Sequence, residues 1–412
     1  MNRVGGIALS LIVQKFGGTS VANAERIFNV ANRIINTYNQ GNSVVVVVSA
    51  QGDTTDELIS KAKEINENCS KREMDVLLST GEQISMSLLA MAIEKLGYPV
   101  ISLTGYQAGI STDSNYCAAR IKNIDTERLF RELDRKNIVI VAGFQGINKF
   151  EDITTLGRGG SDTSAVALAA SLRADLCEIY TDVDGVYTAD PRIVKDASKL
   201  NDISYDEMLE LASLGANVLH NRSVEVAKKY NVNLVVRSSL NNDPGTIVKE
   251  VCSVEKIAVR GVARDNNIAR IAVIGVEDKP GIAFKLFSML AKDNINVDLI
   301  LQSIGRNNTK DISFTISKDN LEKCVSIIKN NLAMFAAEDV QFSDKYSKVS
   351  IVGAGMVNSP GIAAKMFEAL YDADINIHMI TTSEIKISVL VDIGEGERAV
   401  NAIHNKFKLN EA

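Results

Sequence analysis

The sequence predicts an α/β protein: a three-layer domain built on a mainly parallel sheet, followed by two smaller, mutually similar units. Three observations carry this reading. Between residues 8 and 240, short apolar runs alternate with longer helical patterns. Val44–Val48 is an unbroken β-branched run, as expected of a strand covered on both faces. Beyond residue 262, Ile271–Ser303 aligns with Ile351–Ser383 at a constant offset of 80 residues; about a dozen of some thirty positions are identical, the mark of a duplicated unit.

Strands are expected at Ala8–Val13, Ser43–Ser49, Val100–Leu103, Ile138–Gly143, Leu176–Tyr180 and Asn233–Arg237. Helical patterns run over 23–39, 55–68, 72–96, 125–135, 161–173, 205–213 and 222–229. Asn241–Gly245 is a turn cluster that closes this first part. Each later unit reads strand, turn, helix, strand and strand. Pro280-Gly281-Ile282-Ala283 corresponds to Pro360-Gly361-Ile362-Ala363, and Ile295-Asn296-Val297 to Ile375-Asn376-Ile377.

Composition narrows the function. The 412 residues are 46% hydrophobic, with no Trp and five Pro, which suits packed α/β domains. Lys and Arg total 45 against 51 Asp and Glu, a net charge of −6, so there is no electrostatic footprint for nucleic acid. Anionic substrates must then be captured locally. Five scattered cysteines and three distant histidines offer neither a disulfide framework nor a metal spacing, and a reducing cytoplasm is the expected setting. Arg3 and the apolar stretch to Val13 bear a faint likeness to a signal peptide without a convincing cleavage site. No uninterrupted apolar run reaches the roughly 18 residues of a bilayer span, and no membrane partner is expected.

Three segments carry chemistry. Gly157-Arg158-Gly159-Gly160-Ser161-Asp162 opens an apolar helix, and glycines before a helix N-terminus make an anion site. Arg158 brings a planar fork for a carboxylate or phosphate, Ser161 or Asp162 is expected to cap the helix, and Asp162 makes sense if it orients a cation. Lys15-Phe16-Gly17-Gly18-Thr19-Ser20 follows the first strand and places a cation beside backbone N–H donors, the means of neutralising a transferring phosphoryl group. Neither segment is a P-loop, and no dinucleotide fingerprint is present. Thr181–Arg192 follows another apolar strand; taken alone, its Asp182 and Asp184 read as turn chemistry.

In this order, and together with the repeated tail, these segments resemble the aspartate kinase family almost from end to end. Leu219-His220 followed by Arg222–Ala227 is similar to the family's segment after the nucleotide loop. The resemblance implies an amino-acid kinase domain over 1–250 and two ferredoxin-like (βαββαβ) ACT domains over 262–340 and 346–412. It also implies ATP-dependent phosphorylation of the L-aspartate side-chain carboxylate. The rivals are a kinase for another small acceptor on the same fold and a non-catalytic amino-acid sensor.

On the family pattern, Lys15 and Asp162 are catalytic. Lys15, Phe16, Gly17, Gly18, Thr181, Asp182, Tyr187, Arg192, Asn217 and Val218 serve ATP. Ser49, Thr55, Glu82, Arg158, Gly159, Gly160 and Ser161 serve aspartate, Glu82 meeting its ammonium. Mg²⁺ enters with ATP rather than in an all-protein cage. Two positions depart from the pattern. Asn221 stands where many relatives carry proline, and Asn217 where several carry a lysine for the nucleotide phosphates. Asn217→Lys is therefore expected to lower the KM for ATP; an unchanged KM removes Asn217 from that role.

The ACT pair implies feedback by lysine and/or threonine and a homodimer or homotetramer. Effector contacts are expected from Asp278, Gly281, Ile282, Ala283, Asn296, Asp298 and Gln302 in the first unit. Asn358, Gly361, Ile362, Asn376 and Glu384 are their counterparts in the second.

Overall fold

In this computed structural model the structure describes residues 10–214, 218–250, 258–303, 305 and 308–411, with the backbone of 3–4 and 7–8. The chain forms two compact units. The first comprises residues up to Tyr187 and Lys199–Glu255, and the second Thr188–Ser198 and Lys256 onward.

The first unit is organised by an eight-stranded sheet. Its spatial order is Asp202–Ser204, Thr246–Lys249, Leu234–Ser238, Leu176–Thr181, Leu11–Phe16, Ser43–Val48, Ile138–Ala142 and Val100–Leu103. Every pairing is parallel except that of Leu234–Ser238 with Thr246–Lys249. Val44 to Val48 are fully buried, as their unbroken apolar pattern requires. Burial of each such side chain is worth about 1.5–3 kcal/mol.

Successive strand residues face opposite sides, so Val44, Val46 and Val48 join one core with helices α1 (Ala24–Asn39) and α3 (Lys71–Lys95). The other face carries helix α5 (Gly160–Leu172), which packs on strands Leu11–Phe16, Ser43–Val48 and Leu176–Thr181. The strands and helices expected in this part are all present, with ends shifted by at most three residues. A separate four-stranded sheet, Ile153–Thr155, Gln145–Ile147, Ile110–Thr112 and Ile121–Ile124, has no counterpart among the expected strands. Its strands are three or four residues long, too short for a periodic signal.

Helix α3 has the length and apolar composition of a membrane span, yet half of that window is buried inside the protein. It also carries the buried acids Asp75 and Glu82. Asp75 accepts the Cys117 amide at 3.0 Å, the Thr155 amide at 3.0 Å and the Thr155 hydroxyl at 2.6 Å. It thereby holds the small sheet against the helix and sets the loop that leads to Gly157.

The second unit holds two four-stranded antiparallel sheets. One has the order Ile300–Gln302, Thr309–Ile316, Ala269–Glu277 and Asp339–Ser343, and its helices are Ile282–Lys292 and Leu321–Lys329. Its chain order is βαββαβ, as expected. The other has the order Gly261–Asp265, Tyr346–Val352, Lys386–Asp392 and Met379–Thr382, with helices Ile362–Asp372 and Gly396–Lys406. Its fourth strand therefore comes from ahead of the first repeat: Gly261↔Val352 through Asp265↔Lys348 are paired antiparallel. Sequence contiguity places that strand with the first repeat, within 262–340. Ala269–Glu277 already has a partner along each edge, so Gly261–Asp265 completes the second sheet instead.

Thr188–Ser198 also belongs to this unit. Ala189 and Val194 join the core of the second sheet. The Thr188 Oγ1 and His404 Nε2 atoms lie 2.9 Å apart, and the Val262 amide donates to the Thr188 carbonyl at 2.7 Å.

Candidate active site

Lys15 sits near the C-terminal end of the central strand Leu11–Phe16, on the face towards α5, and is 8% exposed. Its Nζ lies 2.6 Å from Asp162 Oδ1, in the first turn of α5. The two residues that the sequence singles out as cation and orienter are thus brought together. With both side chains nearly buried, the attraction is far less screened than at the surface.

Neither Ser161 nor Asp162 caps the helix, contrary to the expectation. The N-cap is Gly159, left-handed at φ 66°, with no side-chain cap. The Gly160 amide donates to the Gly157 carbonyl at 3.0 Å, the Ser161 and Asp162 amides have no intrahelical acceptor, and the Asp162 carboxylate serves Lys15 instead. A Cβ on Gly159 would lie 2.1 Å from the His220 ring, beyond the strain of its φ. Gly159→Ala is therefore expected to lower thermal stability and raise the KM values for both substrates; kinetics and melting temperature matching the unmodified protein would refute this. Ser161 is buried beside Gly143 and Val47, whereas the Arg158 side chain is exposed beside the loop.

Gly17 and Gly18 are held by close contacts. The Gly17 amide donates to the Tyr180 carbonyl at 3.2 Å. A Cβ on Gly18 would stand 2.5 Å from the Ala50 carbonyl oxygen, so only glycine lets the two loops touch. Phe16 stacks on Tyr180 with ring centroids 4.7 Å apart. The Ser49 amide donates to the Phe16 carbonyl at 3.1 Å, which puts Ser49 beside the Lys15 segment.

Glu82 Oε1 accepts the Ala50 amide at 3.0 Å, while Oε2 is buried with no hydrogen-bond partner. Burial pushes this carboxyl up to about 7, against the opposing pull of the Ala50 amide. Thr55 lies in the first turn of Thr54–Ile65, half-buried.

The nucleotide set divides. The Thr181 hydroxyl donates to Asp182 at 3.0 Å, and the Tyr187 hydroxyl to Asp184 at 2.8 Å. Arg192 belongs to the second unit and pairs with Asp190 at 2.7 Å. Val218 is half-buried; Asn217 lies outside the described residues. Asn221 begins the helix Asn221–Tyr230 and donates its side-chain amide to Ser213 at 2.9 Å, which anchors the turn that proline would otherwise stiffen.

Ala50, through its backbone, is a supporting residue that the sequence did not mark, and His220 of the Leu219-His220 segment gains a place it did not foretell, its ring abutting Gly159. Arg222 donates to the carbonyls of Leu156 and Ala119 and so braces the loop before Gly157. An arginine in that place was visible in the sequence, but its carbonyl partners were not.

In the second unit, Gly281 and Gly361 occupy the same left-handed conformation, φ 94° and 91°, immediately before helices beginning at Ile282 and Ile362. Ala283 and its counterpart follow in the first turn. Asp278 pairs with Lys310 at 2.6 Å, and Asp298 with the buried Lys348 at 2.5 Å, so both carboxylates already have cationic partners. Asn296, Gln302, Asn358, Asn376 and Glu384 are exposed.

Residues 10–238 match the amino acid kinase family, and residues 271–332 and 349–407 match the ACT domain. The chain is 51% identical over 404 residues to aspartokinase 2 of Bacillus subtilis, covering 98% of this chain and 99% of that one. It is 50% identical over 407 residues to the aspartokinase of Corynebacterium glutamicum, with 97% of each chain covered. Among solved structures it is similar to E. coli aspartokinase III in complex with lysine and aspartate. That match has 25% identity and a TM-score of 0.75, over 96% of this chain and 99% of the other.

Proposed function

This chain belongs to the aspartokinase family, and on that premise we propose how its own residues transfer the γ-phosphoryl group of ATP to the side-chain carboxylate of L-aspartate, giving 4-phospho-L-aspartate and ADP. The observation that carries the assignment is the Lys15–Asp162 pair, a buried cation held between a strand end and a helix N-terminus.

The acceptor is already a carboxylate, so the reaction needs no general base. Two anions must be aligned and their mutual repulsion neutralised. Lys15, kept in place by Asp162, meets the charge that builds on the transferring group, with the Gly17 and Gly18 segment beside it. Phe16, Thr181, Asp182, Tyr187, Arg192, Asn217 and Val218 hold the nucleotide. Arg158 clamps the α-carboxylate of aspartate, Gly159, Gly160 and Ser161 shape the pocket, Ser49 and Thr55 line it, and Glu82 receives the ammonium. The unpartnered Glu82 Oε2 supports that last role, because a cation arriving there satisfies it.

Mg²⁺ fits this donor set as an ion carried by ATP. Asp182 offers one exposed hard-oxygen carboxylate, and such sites combine one or two of these with phosphates and water. When bound, the ion adds charge neutralisation on the phosphates.

The ACT units regulate this activity. Lysine and/or threonine bind at the Pro-Gly helix starts, where first-turn amides meet the effector carboxylate. Asp278, Asn296, Asp298 and Gln302 in the first unit, and Asn358, Asn376 and Glu384 in the second, take the ammonium and side chain. Domains of this kind pair through their sheets. The exposed edge strands Ile300–Gln302 and Met379–Thr382, with Ile300, Leu301 and Ile380 exposed, support a homodimer or homotetramer.

The deciding assay is ADP release from MgATP with L-aspartate, with L-glutamate and with no acceptor, while lysine and threonine are titrated in. Aspartate-dependent turnover suppressed by either effector is the expected result, with a coupling free energy of about 1–3 kcal/mol. Indifference to both effectors at millimolar levels would remove the regulatory reading, and absence of aspartate-dependent turnover would favour a sensor.

A further inference from the structure

The face of the main sheet opposite Lys15 bears a polar cavity of about 670 Å³ beside α1, lined solely by residues of the first unit. Adjacent strand residues face opposite sides, so Gln14 points away from the α5 face that Lys15 joins. In register, Gln14 pairs with Glu178, and Phe16 with Tyr180; Tyr180 in turn pairs with Arg237. Glu178, Tyr180 and Arg237 floor the cavity, and Arg26, Arg33 and Asn36 of α1 form its wall.

The charge of this cavity is lopsided. Among the described residues of its lining, three guanidinium groups, Arg26, Arg33 and Arg237, stand against the single carboxylate of Glu178, in a chain whose net charge is −6. Glu178 is 5% exposed and already engaged: it accepts Gln14 Nε2 at 2.8 Å and the Tyr180 hydroxyl at 3.0 Å, and pairs with Arg237 at 3.2 Å. The Arg237 Nε is nevertheless buried with no hydrogen-bond partner. Arg33 lies over the Tyr180 ring at 5.0 Å and donates to the Asn241 carbonyl, and Arg26 donates to the Thr19 carbonyl. A guanidinium has five N–H donors, so these bonds leave capacity in each. Beneath the floor, the fully buried Gln14 has an Oε1 atom without a partner. Arg26, Arg33 and Arg237 are half-buried, so the two charges that Glu178 does not match stay open to solvent and to a small anion.

We propose that this cavity is a second small-molecule site, separate from the phosphoryl-transfer centre, that binds a small oxyanion of the phosphate or carboxylate class. Arg33 and Arg237 give the planar, forked recognition such groups favour, and Asn36 adds a neutral amide. The volume lies within the range of small-molecule pockets.

Calorimetric titration of inorganic phosphate and of citrate into the full chain tests this, with Lys15→Ala used to silence the catalytic anion site. The expected result is one equivalent of either probe bound per chain, retained in Lys15→Ala and weakened at least about tenfold in Arg33→Gln. Because Arg237→Gln alone strands Glu178, the second variant is the double Glu178→Gln/Arg237→Gln, with the same weakening expected. Binding of phosphate alone assigns the site to phosphate compounds, and binding of citrate alone to carboxylates. The proposal is overturned if neither probe binds up to about 10 mM, a very weak affinity. It also fails if binding vanishes in Lys15→Ala, or persists unchanged in both floor and wall variants. Aspartate-dependent turnover by Arg33→Gln serves as the check that this variant is folded.

Discussion

Replacing Lys15 with alanine is expected to lower kcat by about 10³-fold, the scale of losing one preorganised charge at a transferring group. The substitution has a structural side as well. Lys15 and Asp162 are 2.6 Å apart with little exposure, so removing one partner leaves the other charge uncompensated. Breaking a buried pair in this way costs a few kcal/mol of stability. Asp162→Asn in the Lys15→Ala background removes that stranded charge. Thermal stability should then recover, whereas turnover should not. Rapid-quench measurement of phosphoryl transfer, together with melting curves for both variants, separates the two effects. A Lys15→Ala enzyme within tenfold of the unmodified kcat would remove Lys15 from the chemistry.

Glu82 gives the second large effect, through pH. Its carboxyl is raised from the usual 4.5 to about 7 by burial. Between those values the folded chain holds a proton that the unfolded chain has released. Stability of the unliganded protein therefore falls as pH rises through that window, by up to a few kcal/mol at 1.36 kcal/mol per pKa unit. Glu82→Gln removes the penalty and should raise the melting temperature at pH 8. Binding should move the other way. An ammonium is held by the ionised carboxylate, so aspartate affinity should fall about tenfold per pH unit below pH 7. In Glu82→Gln the KM for aspartate should rise at least about tenfold and lose that pH slope, since the charge-assisted contact is gone. A merely structural Glu82 would alter stability but leave the pH profile of aspartate binding unmoved.

Much of the catalytic half was legible because its signals are local. Val44–Val48 declares a doubly covered strand by composition alone, and the alternation of such runs with helical periods specifies a parallel sheet and its layers. Lys15 at a strand end and Asp162 behind glycines are recognisable as a cation and an anion suited to one another, and the fold brings them to 2.6 Å. The capping role read for Ser161 and Asp162 failed because propensity favours those residues at an N-cap, whereas the left-handed Gly159 already turns the chain there. Asp75, Ala50 and the carbonyl partners of Arg222 left no trace in the sequence, since each acts through a backbone group whose position depends on distant contacts.

Sequence alone carries the order of the longer strands and helices of the first unit, the duplication at an offset of 80 residues and the residue types of the Lys15–Asp162 pair. Each of these is written in periodicity or in residue chemistry over a short span. Long-range packing is what selects Gly261–Asp265 to complete the second repeat's sheet and brings Thr188–Ser198 into the core of that unit. It also decided that three arginines meet one carboxylate on the sheet face behind Lys15. The physical reason is common to all three. Side-chain pattern fixes which face of a strand is buried, but the choice of neighbour is made by closing long loops, and short-range sequence carries no record of it.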